Sequence, residues 1–283
     1  MKCKLFLFLF FLTTVFELAA QTPADSLAIV HASWRQTPLR KGMLCKEAEF
    51  ASLYGVPQHI TILEITPKKY RFDVLVHSPK AETSKAAHAA GAVAAINGSY
   101  FDIRKGNSVC YLRKEGVVID STNAGALSTV VTGAIHLRKG KIELIPWNTQ
   151  VERQWNAKKG TVLASGPLML LDGAPCDLNS CNQNFVNTRH PRSAVCQLKD
   201  GKVLLVTVDG RFKGKAEGIR IAELAHLLRI LGGKNALNLD GGGSTTLWSA
   251  SAPDNGVLNK PCDNRQYDSQ GERAVANSLC VYH

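Results

Sequence analysis

Residues 193–210, SAVCQLKDGKVLLVTVDG, hold two apolar runs joined at Asp200-Gly201. Asp-Gly between two strand-like runs is among the strongest short-range hairpin signals, because both residues accept the backbone that a tight turn needs. The chain is therefore built at least in part from antiparallel sheet. Other stretches agree. HITILEIT (59–66) alternates apolar and polar positions, YRFDVLVHS (70–78) partly does so, and a Pro-Lys-Lys turn between them predicts a second hairpin. TVVTGAIHLRKGKIELIP (129–146) predicts a third, turning at Lys139-Gly140-Lys141, while AVAAIN (92–97) and TVLASGPLMLLDG (161–173) are strand-like.

Helical signals are few. AETSKAAHAAG (81–91) is a short Ala-rich helix with a Gly stop. GIRIAELAHLLRILGG (218–233) is the one clear long helix. Its apolar face is Ile221, Leu224, Ala225, Leu228 and Leu231, with Arg220, Glu223 and Arg229 toward the other side and Gly232-Gly233 as the stop. His226 reads as a surface or boundary histidine. With no internal repeat and no Pro/Ser-rich linker, the expected class is α/β (α+β): a mixed β-sheet core with several hairpins and few helices, in a single domain. Its expected span is 55–283, after an N-terminal lead-in over 21–54.

Residues 1–20 read as a secretory signal. Lys2 and Lys4 precede the apolar run Leu5–Leu12, and Ala19-Ala20 supply small residues before a polar stretch. No later segment approaches the roughly 20 apolar residues of a spanning helix. The expectation is an exported chain, periplasmic, envelope-bound or secreted, with no membrane span after signal removal. Export permits disulfides. Cys176 and Cys181, in the polar stretch PCDLNSCNQN, are the best candidate pair, whereas Cys196 and Cys280 in apolar runs read as buried free thiols. The net charge of +11 is spread without blocks of like charge, which argues against nucleic-acid binding and suits an anionic substrate or glycan.

Four strand-like runs end in polar residues and glycine: AAINGSYFD (94–102), RHPRSAV (189–195), VTVDGR (206–211) and LNLDGGGST (237–245). Strand ends are where sites form in α/β sheets. Asp240 and Asp209 are the candidate catalytic carboxylates, since each follows an apolar run and precedes glycine; Asp-Gly is also an ordinary turn pair. Gly241, Gly242 and Gly243 let a ligand approach the backbone, and their N–H groups can cradle an anion. Arg192 and Arg211 are candidate phosphate contacts through forked, charge-assisted hydrogen bonds. His190, Asn97, Gly98, Tyr100, Ser244 and Thr245 complete the candidate substrate site; Ser244 lacks the setting of a hydrolase nucleophile elbow. No cofactor is required by these residues. They leave room for a divalent cation without a ligand spacing that demands one.

In order and spacing, AAINGSYFD, ASGPLMLLDG, TRHPRSAV, LLVTVDGR, GIRIAELAHLLRILGGKNALNLDGGGSTTLW and RAVANSLCV resemble the phosphodiester glycosidase family over residues 55–282. The resemblance implies hydrolysis of a sugar-1-phosphodiester between the anomeric carbon and the phosphate. The residues suit that reaction. A phosphodiester departs as a stable anion and needs little acid help, so cations for the phosphate and one carboxylate suffice. Asp240 is expected as nucleophile or base, and Asp209 as its partner or an orienting group. Two other readings fit the same residues: a non-catalytic binder of phosphorylated or anionic glycans, and a phosphodiesterase attacking phosphorus.

Overall fold

The computed structural model describes residues 21–125, 127–156 and 160–283; the signal reading of 1–20 lies outside them. Three antiparallel sheets carry the fold. The largest has eight strands in the order Arg35–Arg40, Met43–Leu53, Val56–Ile65, Val203–Val208, Arg192–Leu198, Gly233–Asn238, Leu168–Leu171, Ala174–Pro175. A five-stranded sheet orders Val117–Asp120, Leu112–Lys114, Thr161–Ser165, Gly133–Arg138 and Lys141–Pro146. A four-stranded sheet orders Leu247–Ser249, Ala94–Asn97, Val275–Tyr282 and Arg71–Ala81.

The central strands of the large sheet are largely apolar because both faces are covered. Successive side chains alternate faces. Val203 and Leu205, with Leu63 and Ile65, join one core; Leu204, Val206 and Val208, with Ile60 and Ile62, join the other. The first core is closed by Ile96, Leu279, Ile135 and Leu163 from the smaller sheets. The second is closed by the helix Ile221–Ile230, through Leu224, Leu227 and Leu228. Burying one such side chain contributes roughly 1.5–3 kcal/mol.

The Asp200-Gly201 and Lys139-Gly140 hairpins form as expected. The 59–66/70–78 hairpin does not. Val56–Ile65 pairs with Met43–Leu53 and Val203–Val208, whereas Arg71–Ala81 pairs with Val275–Tyr282 in another sheet. A short 3₁₀ turn at Pro67–Lys69 redirects the chain between sheets. Likewise 161–173 is two strands in two sheets, parted at Gly166-Pro167. An apolar run shows that a strand is buried and leaves its partner unspecified.

Two further expectations are corrected by the N-terminal segment. Residues 21–54 supply a helix, Pro23–Val30, and two strands of the large sheet. That helix packs on Ile221–Ile230 and covers what would have been its solvent face. Glu223 is consequently buried and grips Arg189 with both oxygens, at 2.7 and 2.8 Å. His226 is buried between the Tyr54 hydroxyl, 2.8 Å away, and the Ser26 hydroxyl, 3.0 Å away. The Cys176–Cys181 disulfide is also absent: all seven described cysteines are free. Cys181 is buried in the helix-side core and Cys176 packs against the opposite one. Cys196 and Cys280 are buried free thiols, as read. Among the described residues no helix is long and apolar enough to cross a membrane.

Candidate active site

Antiparallel pairing brings the four strand ends together. Arg192 begins a strand whose neighbours finish at Val208 and Asn238, so Pro191, Asp209 and Asp240 emerge at one end of the sheet. The end of Ala94–Asn97 meets them there. The Asp240 N–H donates to Gly98 O at 3.0 Å, and Asn97 Nδ2 donates to Asp240 O at 2.7 Å. The Asn97 Oδ1 accepts from the Ser193 hydroxyl at 2.6 Å and from the Thr246 N–H at 3.1 Å. Asn97 is thus a buried knot joining three of the strand ends rather than a sugar contact.

The glycines of 241–243 serve close packing. Gly241 N–H donates to the Asp240 carboxylate at 3.0 Å and Gly242 N–H to Pro191 O at 2.8 Å. The Ser244 and Thr245 N–H groups turn back onto Gly241 O and Gly242 O. The N–H groups of Gly241, Gly242, Ser244 and Thr245 are thus engaged within the protein. A Cβ at Gly242 would stand 2.8 Å from the Arg211 guanidinium, and one at Gly243 would stand 2.4 Å from that of Arg273. The glycines form a floor on which two cations lie.

Asp240 lies beside that floor. Burial pushes its carboxyl up to about 6, against the opposing pull of the Ser244 hydroxyl, Arg273, the Gly241 N–H and Arg192. The Ser244 hydroxyl neighbours the carboxyl without a hydrogen bond of good geometry. Part of Asp240 remains open to solvent, so a reactant can reach it. A carboxyl poised near neutrality beside two arginines is the arrangement of a site that moves protons next to an anion.

The sequence over residues 90–282 matches the family model for phosphodiester glycosidases. The chain belongs to the phosphodiester glycosidase family. It is 27% identical over 219 residues to mouse N-acetylglucosamine-1-phosphodiester alpha-N-acetylglucosaminidase, covering 72% of this chain and 40% of that protein. It is 29% identical over 192 residues to the SPbeta prophage-derived protein YomE of Bacillus subtilis, covering 67% of this chain and 28% of the relative. The chain therefore spans two fifths or less of the length of these relatives. The catalytic domain of the zebrafish N-acetylglucosamine-1-phosphodiester alpha-N-acetylglucosaminidase, auto-inhibited by its pro-peptide, shares the fold: TM-score 0.67, 19% identity, 86% of this chain and 84% of that one. A hypothetical protein from Synechocystis aligns with TM-score 0.59 at 16% identity, over 88% of this chain and 63% of that one.

Within this phosphodiester glycosidase fold the expected site residues divide. Asp240, Gly241, Gly242, Gly243, Ser244 and Arg211 gather around the floor. His190 stands near, half-buried and kept neutral by burial and then by Arg192 and Arg211. Arg192 lies beneath the site. It is 2% exposed, donates to the carbonyls of Phe185 (2.8 Å), Thr188 (2.9 Å) and Ile219 (3.3 Å), and stacks over the Phe185 ring. Its charge still favours the ionised form of Asp240. Tyr100 is buried in the core, with its hydroxyl donating to Gly166 O and accepting from Asn238 Nδ2 at 2.9 Å. Gly98 is required by its neighbour, since a Cβ would fall 1.9 Å from Asn277 Oδ1. Thr245 is buried, and its carbonyl accepts from Asn259 Nδ2 at 3.1 Å.

Asp209 stands at the end of Val203–Val208, held from several sides. It is 1% exposed. His59 Nδ1–H donates to its Oδ2 at 2.6 Å, Asn259 Nδ2 to its Oδ1 at 2.9 Å, and the Lys260 N–H to both oxygens at 3.1 and 3.0 Å. His59 Nε2 meets Glu47 at 2.7 Å. Burial works against a charged His59, but hydrogen bonds to Asp209 and Glu47 prevail and raise its pKa to about 9. A carboxylate with both oxygens engaged supports the loop that follows it.

Sequence reading missed Arg273, its partner Asp263, and the support group of His59, Glu47 and Asn259. Arg273 opens the RAVANSLCV motif, which was its one signal. Asp263 sits in a polar loop with no pattern to mark it. Among the described residues no group of His, Cys, Asp or Glu is placed to hold a metal ion.

Proposed function

We propose that this protein is an exported hydrolase that cleaves a sugar-1-phosphodiester between its anomeric carbon and the phosphate oxygen. The observation that carries the reading is the pairing of Asp240, raised to about 6, with the guanidinium groups of Arg211 and Arg273 lying across Gly242 and Gly243. The arginines receive the phosphate and steady the charge that grows on its departing oxygen. The Asp240 carboxylate either removes a proton from the attacking water or attacks the anomeric carbon itself. The C1–O bond breaks, the water oxygen ends on C1, and the phosphate leaves as a monoester. Asp209, held by His59, keeps Asn259 under the glycine loop and takes no part in the bond changes.

The test is release of free sugar from a panel of sugar-1-phosphodiesters. Wild type is expected to turn over one or more members, with Asp240→Asn at least about a hundredfold slower. Equal activity in the two proteins removes Asp240 from the reaction; binding of phosphorylated glycans with no cleavage anywhere in the panel favours the binder. In ¹⁸O water, label in the sugar marks attack at carbon and label in the phosphate marks attack at phosphorus. The anomeric form released first separates the two roles of Asp240: inversion for base, retention for nucleophile.

A further inference from the structure

Asp263 and Arg273 face each other across the neck of a polar loop, 261–271. The Asp263 N–H donates to Gly271 O at 3.1 Å and closes that neck. Arg273 then donates from Nε, at 3.0 Å, and from Nη2 to a single oxygen, Asp263 Oδ1. The pair is open to solvent on one side and rests on the glycine floor on the other. A Cβ on Gly243 would lie 2.4 Å from Arg273 Nη2 and 2.4 Å from Asp263 Oδ1, so both groups rest on the same patch of floor. Arg211 lies on the adjoining Gly242 and donates to Cys262 Sγ at 3.8 Å, one residue before Asp263. A resident carboxylate is thus already seated on one of the two cations that an incoming phosphate needs.

Such a carboxylate does not repel all phosphates equally. A phosphodiester carries one negative charge. A phosphomonoester carries about −1.5 to −2 near neutral pH. Hydrolysis at the anomeric carbon converts the first into the second. We propose that Asp263 makes this site select the singly charged diester over the doubly charged monoester, and thereby expels the product the reaction leaves behind. The inference rests on the phosphodiester reading of the site. Two unit charges about 4 Å apart in a wet site interact by roughly a fivefold change in binding. Removing the Asp263 charge therefore strengthens a monoanion about fivefold and a dianion by about the square of that.

A plain structural role predicts the opposite sign. If Asp263 only staples the loop neck, its loss frees Arg273 to wander and weakens every anion alike. Calorimetric titration of the full mature protein at pH 8 separates the two, using dimethyl phosphate as the single charge and methyl phosphate as the double charge. In Asp263→Asn, methyl phosphate is expected to gain about twenty-fivefold and dimethyl phosphate about fivefold. Asp263→Ser repeats the measurement with a smaller side chain. Equal gains, or losses for both anions, overturn the role of Asp263; if diester turnover persists, the reading of the site survives. If neither anion binds wild type or variant and no diester is cleaved, both fall together.

Discussion

Asp240 is fixed at its N–H by Gly98, at its carbonyl by Asn97 and at its carboxyl by the Gly241 N–H. A carboxyl raised to about 6 is half-ionised near that pH and fully ionised above it. As base or nucleophile it acts when ionised, so kcat/KM is expected to rise as pH increases through about 6 and then level. A general acid would give the reverse slope, and a pH–rate profile on any cleaved diester decides between them. The floor beside it is equally specific. Gly243→Ala places a methyl group 2.4 Å from Arg273 and Asp263 and must displace them. KM is expected to rise at least about tenfold, a loss of about 1.4 kcal/mol of binding, with thermal stability nearly unchanged. Steady-state kinetics and a melting curve check it. The run Asp240-Gly-Gly-Gly was legible as a place where something large meets the backbone. That the large thing is the protein's own pair of arginines was not, because Arg273 is distant in sequence and reaches the loop only through the fold.

The strand Val56–Ile65 shows the same limit for a whole element. Its apolar pattern was plain, and its two partners were not. One consequence is His59, which this strand holds opposite Asp209. The residue lies outside the matched 90–282 segment yet supports Asp209 in its VTVDGR motif. The His59 pKa stands near 9 in the folded protein and about 6.5 in an unfolded chain. Its stabilising contribution is therefore complete below about 6.5 and is lost as pH rises through 9. The melting temperature of wild type is expected to decline between pH 7 and 10, and that of His59→Gln to be lower and flatter. Removing the buried partner of Asp209 is expected to cost about 3–5 kcal/mol at neutral pH, measurable by denaturant titration. A pH-independent difference between the two proteins would show that His59 is neutral in the native state.

For the whole molecule, composition and pattern conveyed the class well: many strands, few helices, a net positive chain. They conveyed assembly poorly. The segment 21–54 reads as a lead-in, and Met43, Cys45, Ala48 and Phe50 within it are buried in the large sheet and its cores. Cysteine counting also misled, since two cysteines in one polar stretch ended in opposite cores. Thiol titration of the mature protein under denaturing, non-reducing conditions is expected to find all seven described cysteines reactive; a count lower by two would reveal a disulfide.

The order of strands also determines when the protein can first become itself. Strand Val56–Ile65 finds one of its partners only when residues 203–208 exist, and Arg71–Ala81 waits for Val275–Tyr282. Long-range pairings of this kind close late and slowly. On the ribosome, the first three strands can pair with one another, but their sheet and that of Arg71–Ala81 stay unfinished until the far end of the chain has been made. A chain that stays unlocked for so long is one that can still be passed lengthwise through a narrow pore.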